Sequence, residues 1–397
     1  MSITKKIFYL LSAMLSILAL PWLGSYIHHG GKFPDGFFSY PPIAPIPKAD
    51  PFNIYVFGFF VICFIGVVCL YIFPQWFGFK KAPEVPARKI KKVGFPIWFW
   101  VGLIGWGVSL FLLMTRAIKP VWLLHWSDVP LFWGLALMID GWVYIRNGGK
   151  SLISEVPQEV IGIGVASVSG WMYFEFLNFF VDDDWYYPRG NIISREQFLL
   201  EACIISSGLM PVAFEWYTLF KTFPALSNRF DNGFKIICPE WLKTVALVVS
   251  LGGLLCAGLF PNLFFFSLWL TPPLLLVVVL DMLGIWTPVR AIGQGNWTPS
   301  LLFALTYFAE GLCLEGQNYL SAIHNDQVNI WTQAPLYWQY SLPYVDKFKL
   351  FEMPILGFLG YLPFGLYCWF WWIAFATLTG VPSKFYKEEP FEAQTAD

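Results

Sequence analysis

Residues 171–187, WMYFEFLNFFVDDDWYY, set an acid and an amide inside an aromatic apolar run. Glu175 and Asn178 are three residues apart, so a helix carries both on one face. An ionisable group at membrane depth is costly to place and marks a functional site by default. A carboxyl kept neutral by apolar surroundings donates a proton near neutral pH. The same group, free to ionise, carries protons in pumps and transporters. The pattern recurs in LEGQNYL, residues 314–320, where Glu315 and Asn318 keep the same spacing.

Two further acids follow these pairs. Glu201 and Glu352 fall in the first turns of apolar spans, where they either orient and recover a proton or act as helix N-terminal acids favourable to the dipole. The candidate catalytic set is therefore Glu175, Glu315, Glu201 and Glu352. The candidate substrate-binding set is Asn178, Asn318, Asp140 and Asp281, with Trp185, Tyr186, Trp338 and Tyr340 from the aromatic loops. Asp140 and Asp281 lie near helix C-termini, where they pack the bundle, hold a cation or serve catalysis. Glu215 falls on about the same face of its helix as Glu201, and Glu310 points away from Glu315. Asp182, Asp183 and Asp184 read as a solvated loop, with calcium as the sharper alternative. His125 and Asp128 flank a helix start. Four histidines with no pair at ligand spacing inside a helix argue against haem b and catalytic zinc, and nothing calls for a metal or a cofactor.

The elements that must hold these groups are membrane helices. The chain has 397 residues, is 57% apolar and 20% aromatic, and is 13% charged against about 25% for a soluble domain. Apolar runs of about 20 residues recur from end to end, each long enough to span the hydrocarbon. The fold class expected is all-α, a polytopic transmembrane bundle of about ten spans. They cover residues 7–23, 53–73, 96–115, 129–144, 157–180, 196–220, 241–260, 263–283, 299–321 and 350–378. The first reads as an uncleaved helix, since no A-x-A-like site follows it. Lys80, Lys81, Arg88, Lys89, Lys91 and Lys92 form the densest basic loop, which the positive-inside rule makes cytoplasmic. Ten spans then place both termini in the cytoplasm, with 17 of the 25 Lys and Arg on that side. No basic surface suggests nucleic acid, and six of the seven cysteines sit inside apolar runs as packing residues.

The third to sixth spans resemble the seventh to tenth. Asp140 matches Asp281, and the Glu-x-x-Asn pair follows 35 residues after the first aspartate and 34 after the second. Each copy then has a Trp/Tyr-rich loop (Trp185, Tyr186 and Tyr187; Trp331, Tyr337, Trp338 and Tyr340). Glu201 with Gly208-x-x-Pro211 matches Glu352 with Gly360-x-x-Pro363. Four helices per copy give a parallel repeat, and such repeats commonly hold a site at their interface. The units are 1–94 (two N-terminal helices and the basic loop), 95–235 and 236–380 (the repeats), and 381–397 (a cytoplasmic tail). The breakers in LFEMPILGFLGYLPFGL, residues 350–366, and Gly208 with Pro211, mark cavity walls, because irregular backbone at membrane depth persists where protein packs it or a cavity adjoins it.

Asp140-Gly141 with Tyr144, Phe174-Glu175 with Asn178, Trp185-Tyr186-Tyr187, and Phe351-Glu352-Met353-Pro354 running into Leu359-Gly360-Tyr361-Leu362-Pro363-Phe364 resemble a group of bacterial polytopic membrane proteins of unassigned function. The likeness covers roughly residues 120 to 370 and implies the bacterial inner membrane. Trp338-Gln339-Tyr340, Pro343 and Glu352-Met353-Pro354 are similar in order to membrane carotenoid enzymes of the lycopene-cyclase type. Their tandem Pro-x-Glu-Glu/Asp motif is absent here, so no catalytic residue is carried over. The leading expectation is acid-base chemistry on an isoprenoid or other lipid in a carboxylate-lined intramembrane cavity, with membrane lipids and an apolar small molecule as partners. A proton- or cation-coupled transporter with its pathway between the repeats, or a structural membrane subunit, are the alternatives.

Overall fold

The computed structural model describes residues 3–37, 51–80, 90–115, 121–182, 184–322 and 334–386. Trp331, Asp183, the side chain of Asp182, Lys81, Arg88, Lys89 and the tail from 387 onward lie outside the described residues. The long helices are α1 (Ile3–His28), α2 (Ile54–Ile72), α3 (Ile97–Thr115), α4 (Asp128–Arg146), α5 (Pro157–Leu177), α6 (Arg195–Ser206), α7 (Leu209–Lys221), α8 (Glu240–Leu259), α9 (Ser267–Met282), α10 (Thr298–Ser321) and α11 (Tyr361–Thr379). Among the described residues, eight helical segments are long and apolar enough to cross a bilayer, α6 and α7 counting as one. The protein is a helical membrane bundle. α9 is shorter at 16 residues and carries Pro272 and Pro273 inside it; α10 is long enough but carries two glutamates.

The bundle is centred on α11, whose Trp369, Trp371 and Trp372 are fully buried. It packs on α10, α9 and α5. Two other helix pairs cross at glycines. A Cβ on Gly258 of α8 would stand 2.0 Å from the Pro21 carbonyl oxygen of α1, and one on Gly102 of α3 would stand 2.6 Å from that of Gly134 on α4. Small residues allow this approach, and close packing drives association where lipid offers no hydrophobic gain. α2 differs, having no buried residue. Its ends are tied by Asn53 N–H donating to Tyr344 O at 3.1 Å and Tyr71 hydroxyl donating to Leu301 O at 2.7 Å.

Two expected spans depart from a simple helix. The sixth breaks at Ser207-Gly208, since Pro211 has no N–H to return to the residue 207 carbonyl. Ser167 of α5 repairs the gap: its hydroxyl donates to Ser206 O at 2.5 Å and accepts from Met210 N–H at 3.1 Å. Side-chain hydroxyls commonly satisfy broken membrane helices in this way. The tenth does not begin at 350. It opens with a tight antiparallel hairpin of β3 (Lys349–Leu350) and β4 (Met353–Pro354), followed by a 3-10 turn over Ile355–Gly360. Phe351, at the hairpin tip, takes a left-handed φ of 59°.

Candidate functional site

Both Glu-x-x-Asn motifs sit on the last turns of helices, α5 and α10, and both asparagines clamp an aromatic loop. The Asn178 amide donates to Trp185 O at 2.7 Å and accepts from Trp185 N–H at 3.0 Å. The Asn318 amide donates to Trp338 O at 2.9 Å and accepts from Trp338 N–H at 3.0 Å. An amide does this because it offers a donor and an acceptor on one plane. The clamped loops meet as a short antiparallel ribbon of β1 (Trp185–Tyr186) and β2 (Gln339–Tyr340), with Trp185 opposite Tyr340 and Tyr186 opposite Gln339.

Each ribbon strand sends a tyrosine back to the glutamate of its own motif. Tyr187 hydroxyl donates to Glu175 Oε1 at 2.5 Å, and Tyr340 hydroxyl donates to Glu315 Oε1 at 2.6 Å. A second donor completes each site, and here the two differ. Glu175 Oε1 takes the indole N–H of Trp171, one turn before it, at 3.0 Å. The residue one turn before Glu315 is Gly311, and the ring of Tyr361 fills its space, 2.6 Å from where a Cβ would stand. Tyr361 hydroxyl then donates to Glu315 Oε1 at 2.6 Å. In both carboxyls Oε2 is buried with no partner among the described residues.

Between these groups lies a cavity of about 980 Å³. Glu175, Trp171, Trp185, Tyr187, Trp338, Tyr340 and Tyr361 line it, together with the 356–364 segment and Ala202, Ile205, Ser206 and Leu209 at the α6–α7 break. Trp269, Phe364 and Phe174 form a ring cluster at its wall, with Trp269 5.7 Å from Phe364 and 5.3 Å from Phe174 between centroids. Its rim includes Tyr55 and Phe59 of α2 and Leu263 and Leu270 near α9, all exposed on the outside of the bundle. Among the described residues no Lys, Arg or His lines it. Glu315 reaches it through Tyr340 and Tyr361.

The remaining candidates are placed differently. Glu352 is not in a helical first turn but at the hairpin tip beside Phe351, where it joins a chain of hydrogen bonds. Tyr186 hydroxyl donates to Gln339 Oε1 at 2.7 Å, the Gln339 amide to Tyr337 hydroxyl at 2.8 Å, and Tyr337 to Glu352 Oε1 at 2.6 Å. Burial holds the Tyr337 phenol well above the usual tyrosine range, with Glu352 adding to it. Burial also raises Tyr186, as do the nearby acids Asp346 and Glu352. Glu201 is the seventh residue of α6, well past its first turn, and accepts from the Gln197 amide at 2.8 Å. Glu215 does not extend its face, because the helix break intervenes; it lies against Asp140 of α4.

Asp140 and Asp281 do not line the cavity, and both are engaged by protein groups. Asp140 accepts from the Trp98 indole at 2.7 Å and Ile153 N–H at 3.0 Å. Asp281 is ion-paired with Lys243 at 2.6 Å and Arg290 at 2.8 Å. Asp140 lies 12 residues along α4 from Asp128, roughly 18 Å toward the end of the bundle away from the ribbon. Asp184 is buried, contrary to a solvated loop, and its carbonyl accepts from Ser341 N–H at 2.9 Å. Sequence reasoning missed Trp171, Tyr187 and Tyr361 as carboxylate partners. Trp171 carried a signal, standing one turn before Glu175; Tyr361 carried none, being 46 residues from Glu315. The chain matches no protein-family model, no curated protein and no solved structure.

Proposed function

We propose that this protein takes an uncharged, unsaturated lipid, isoprenoid or similar, from the bilayer into the cavity and acts on it by acid-base chemistry, with Glu175 as proton donor. The observation that carries the reading is the Glu175 carboxyl. One oxygen is committed to Trp171 and Tyr187; the other is buried with no hydrogen-bond partner among the described residues, on a side chain that lines an apolar, aromatic chamber. Buried polar atoms are almost always satisfied, so an open one at a cavity wall marks where a ligand group comes. Indole and phenyl faces around the chamber suit developing positive charge. Among the described residues no cation lines the cavity, which disfavours phosphate-bearing ligands, and the exposed rim on α2 and near α9 suits entry from lipid.

The same reading takes the chain as ten spans in a bacterial inner membrane, both termini cytoplasmic, with 95–235 and 236–380 as parallel copies. The recurrence of the asparagine clamp, the returning tyrosine and the half-open glutamate supports the duplication. The likeness to carotenoid cyclases agrees with the substrate class. The test compares the lipids and pigments of a deletion strain with its parent, then with strains carrying the wild-type gene or E175Q. The wild-type gene should restore the parental profile and E175Q should not. Full restoration by E175Q would end the proposal, and a change in uptake with unaltered lipids would favour transport.

A further inference from the structure

We propose that Tyr361 is the second proton-handling group of the cavity, passing protons between the bound lipid and Glu315. The inference rests on the acid-base reading above and adds to it the reaction class, a redox-neutral isomerisation. The two glutamates are held alike but do not meet the cavity alike. Glu175 lines it directly, beside an indole. Glu315 stands behind Tyr340 and Tyr361, whose hydroxyls both donate to its Oε1 at 2.6 Å. An indole N–H donates only, whereas a phenol both donates and accepts. The residue that fills the Gly311 space is therefore able to relay a proton, and its counterpart Trp171 is not. Tyr340 is already engaged by the Trp338 indole N–H at 2.9 Å, which leaves Tyr361 as the better relay.

The step balances without a cofactor. The Glu175 O–H bond breaks and its proton forms a C–H bond at one carbon of a substrate double bond. The adjacent carbon becomes cationic beside the Trp171, Trp185 and Phe364 faces. A C–H bond next to that cation then breaks, and its electron pair becomes the new double bond. The departing proton goes to the Tyr361 oxygen as the phenol's own proton passes to Glu315. Glu175 regains a proton from water and Glu315 releases one, so the product has the mass of the substrate.

The experiment incubates the purified full chain in D₂O with a lipid extract of the deletion strain and follows isomeric lipids by mass spectrometry. The wild-type protein should give a product that carries deuterium. Y361F and E315Q should each slow it by roughly 10²–10⁴-fold, the usual share of a general acid or base. Y340F should slow it less, and D281N, far from the cavity, should not. In ligand-free protein, infrared spectra should show a carboxylate stretching band that E315Q removes and Y361F shifts, a change that a loss of packing alone does not produce. Unfolding midpoints confirm that each variant is folded. Wild-type rates in Y361F, with E175Q inactive, would overturn the inference alone. Activity in E175Q equal to wild type, or no product from the wild-type chain, would overturn the acid-base reading and the relay with it.

Discussion

Replacing Asn178 by alanine removes both bonds of a buried clamp. Asn178 is 1% exposed and Trp185 7%, so water does not replace what is lost. Trp185 N–H and C=O each lose a partner, and an unsatisfied buried group costs about 1–3 kcal/mol. The expected loss is therefore about 2–6 kcal/mol, a large part of the roughly 5–15 kcal/mol that holds a typical domain. N178D keeps the acceptor for the N–H and loses the donor to the carbonyl, so it should fall between N178A and wild type. N318A should match N178A, because the two clamps have bonds within 0.2 Å of each other. The double variant should not add, since Trp185 and Tyr340 are paired across the ribbon and residues in one network couple by about 0.5–3 kcal/mol. Equilibrium unfolding in detergent, read by tryptophan fluorescence, measures all four. A loss under about 0.5 kcal/mol for N178A, or strict additivity, would refute the view that the clamps jointly hold the ribbon.

Other expectations concern packing, charge and pH. G311A puts a Cβ 2.6 Å from the Tyr361 ring, so the ring must shift; about 1–3 kcal/mol of stability should go, and the infrared band of Glu315 should move as in Y361F. G258A sets its Cβ against backbone of α1, which cannot yield as a side chain does; the two helices must part, visible as faster proteolysis near Pro21. D281N should cost only about 0–1 kcal/mol and leave lipid profiles unchanged, since Lys243 keeps Glu240 at 2.6 Å as a second partner and Arg290 is 40% exposed. For Tyr337 and Tyr186, folding raises the phenol pKa, so the folded state favours the neutral form. Their contribution is complete below about pH 10, the unfolded value, and is lost as pH rises through the folded values. Absorbance titration should show late phenolate formation, and Y337F should remove part of it; a single step at the ordinary tyrosine pKa would contradict this.

The membrane bundle and the two Glu-x-x-Asn motifs were legible in the sequence because they rest on local quantities. Hydrophobic length decides which segments enter a bilayer, and spacing of three decides that Glu175 shares a face with Asn178 and Glu315 with Asn318. The parting of Glu201 from Glu215 by the α6–α7 break had a local signal in Gly208 and Pro211. What each polar group touches did not. Asp140 and Asp281 align in sequence, yet one is buried against Trp98 and the other is paired with Lys243 and Arg290. Glu352 looked like a helix N-terminal acid, but left-handed backbone at Phe351 folds it into a hairpin. The partner of Glu315 was beyond reach for the same reason. Gly311 records only that a side chain is missing, and which ring enters that space depends on how α11 packs against α10. Hydrophobic length and residue spacing thus determined the elements and which residues share a face, because each helix closes its own backbone bonds in lipid. Packing between distant helices decided which carboxyl lines the cavity, which one stands behind a tyrosine, and which ones are engaged by protein groups away from it.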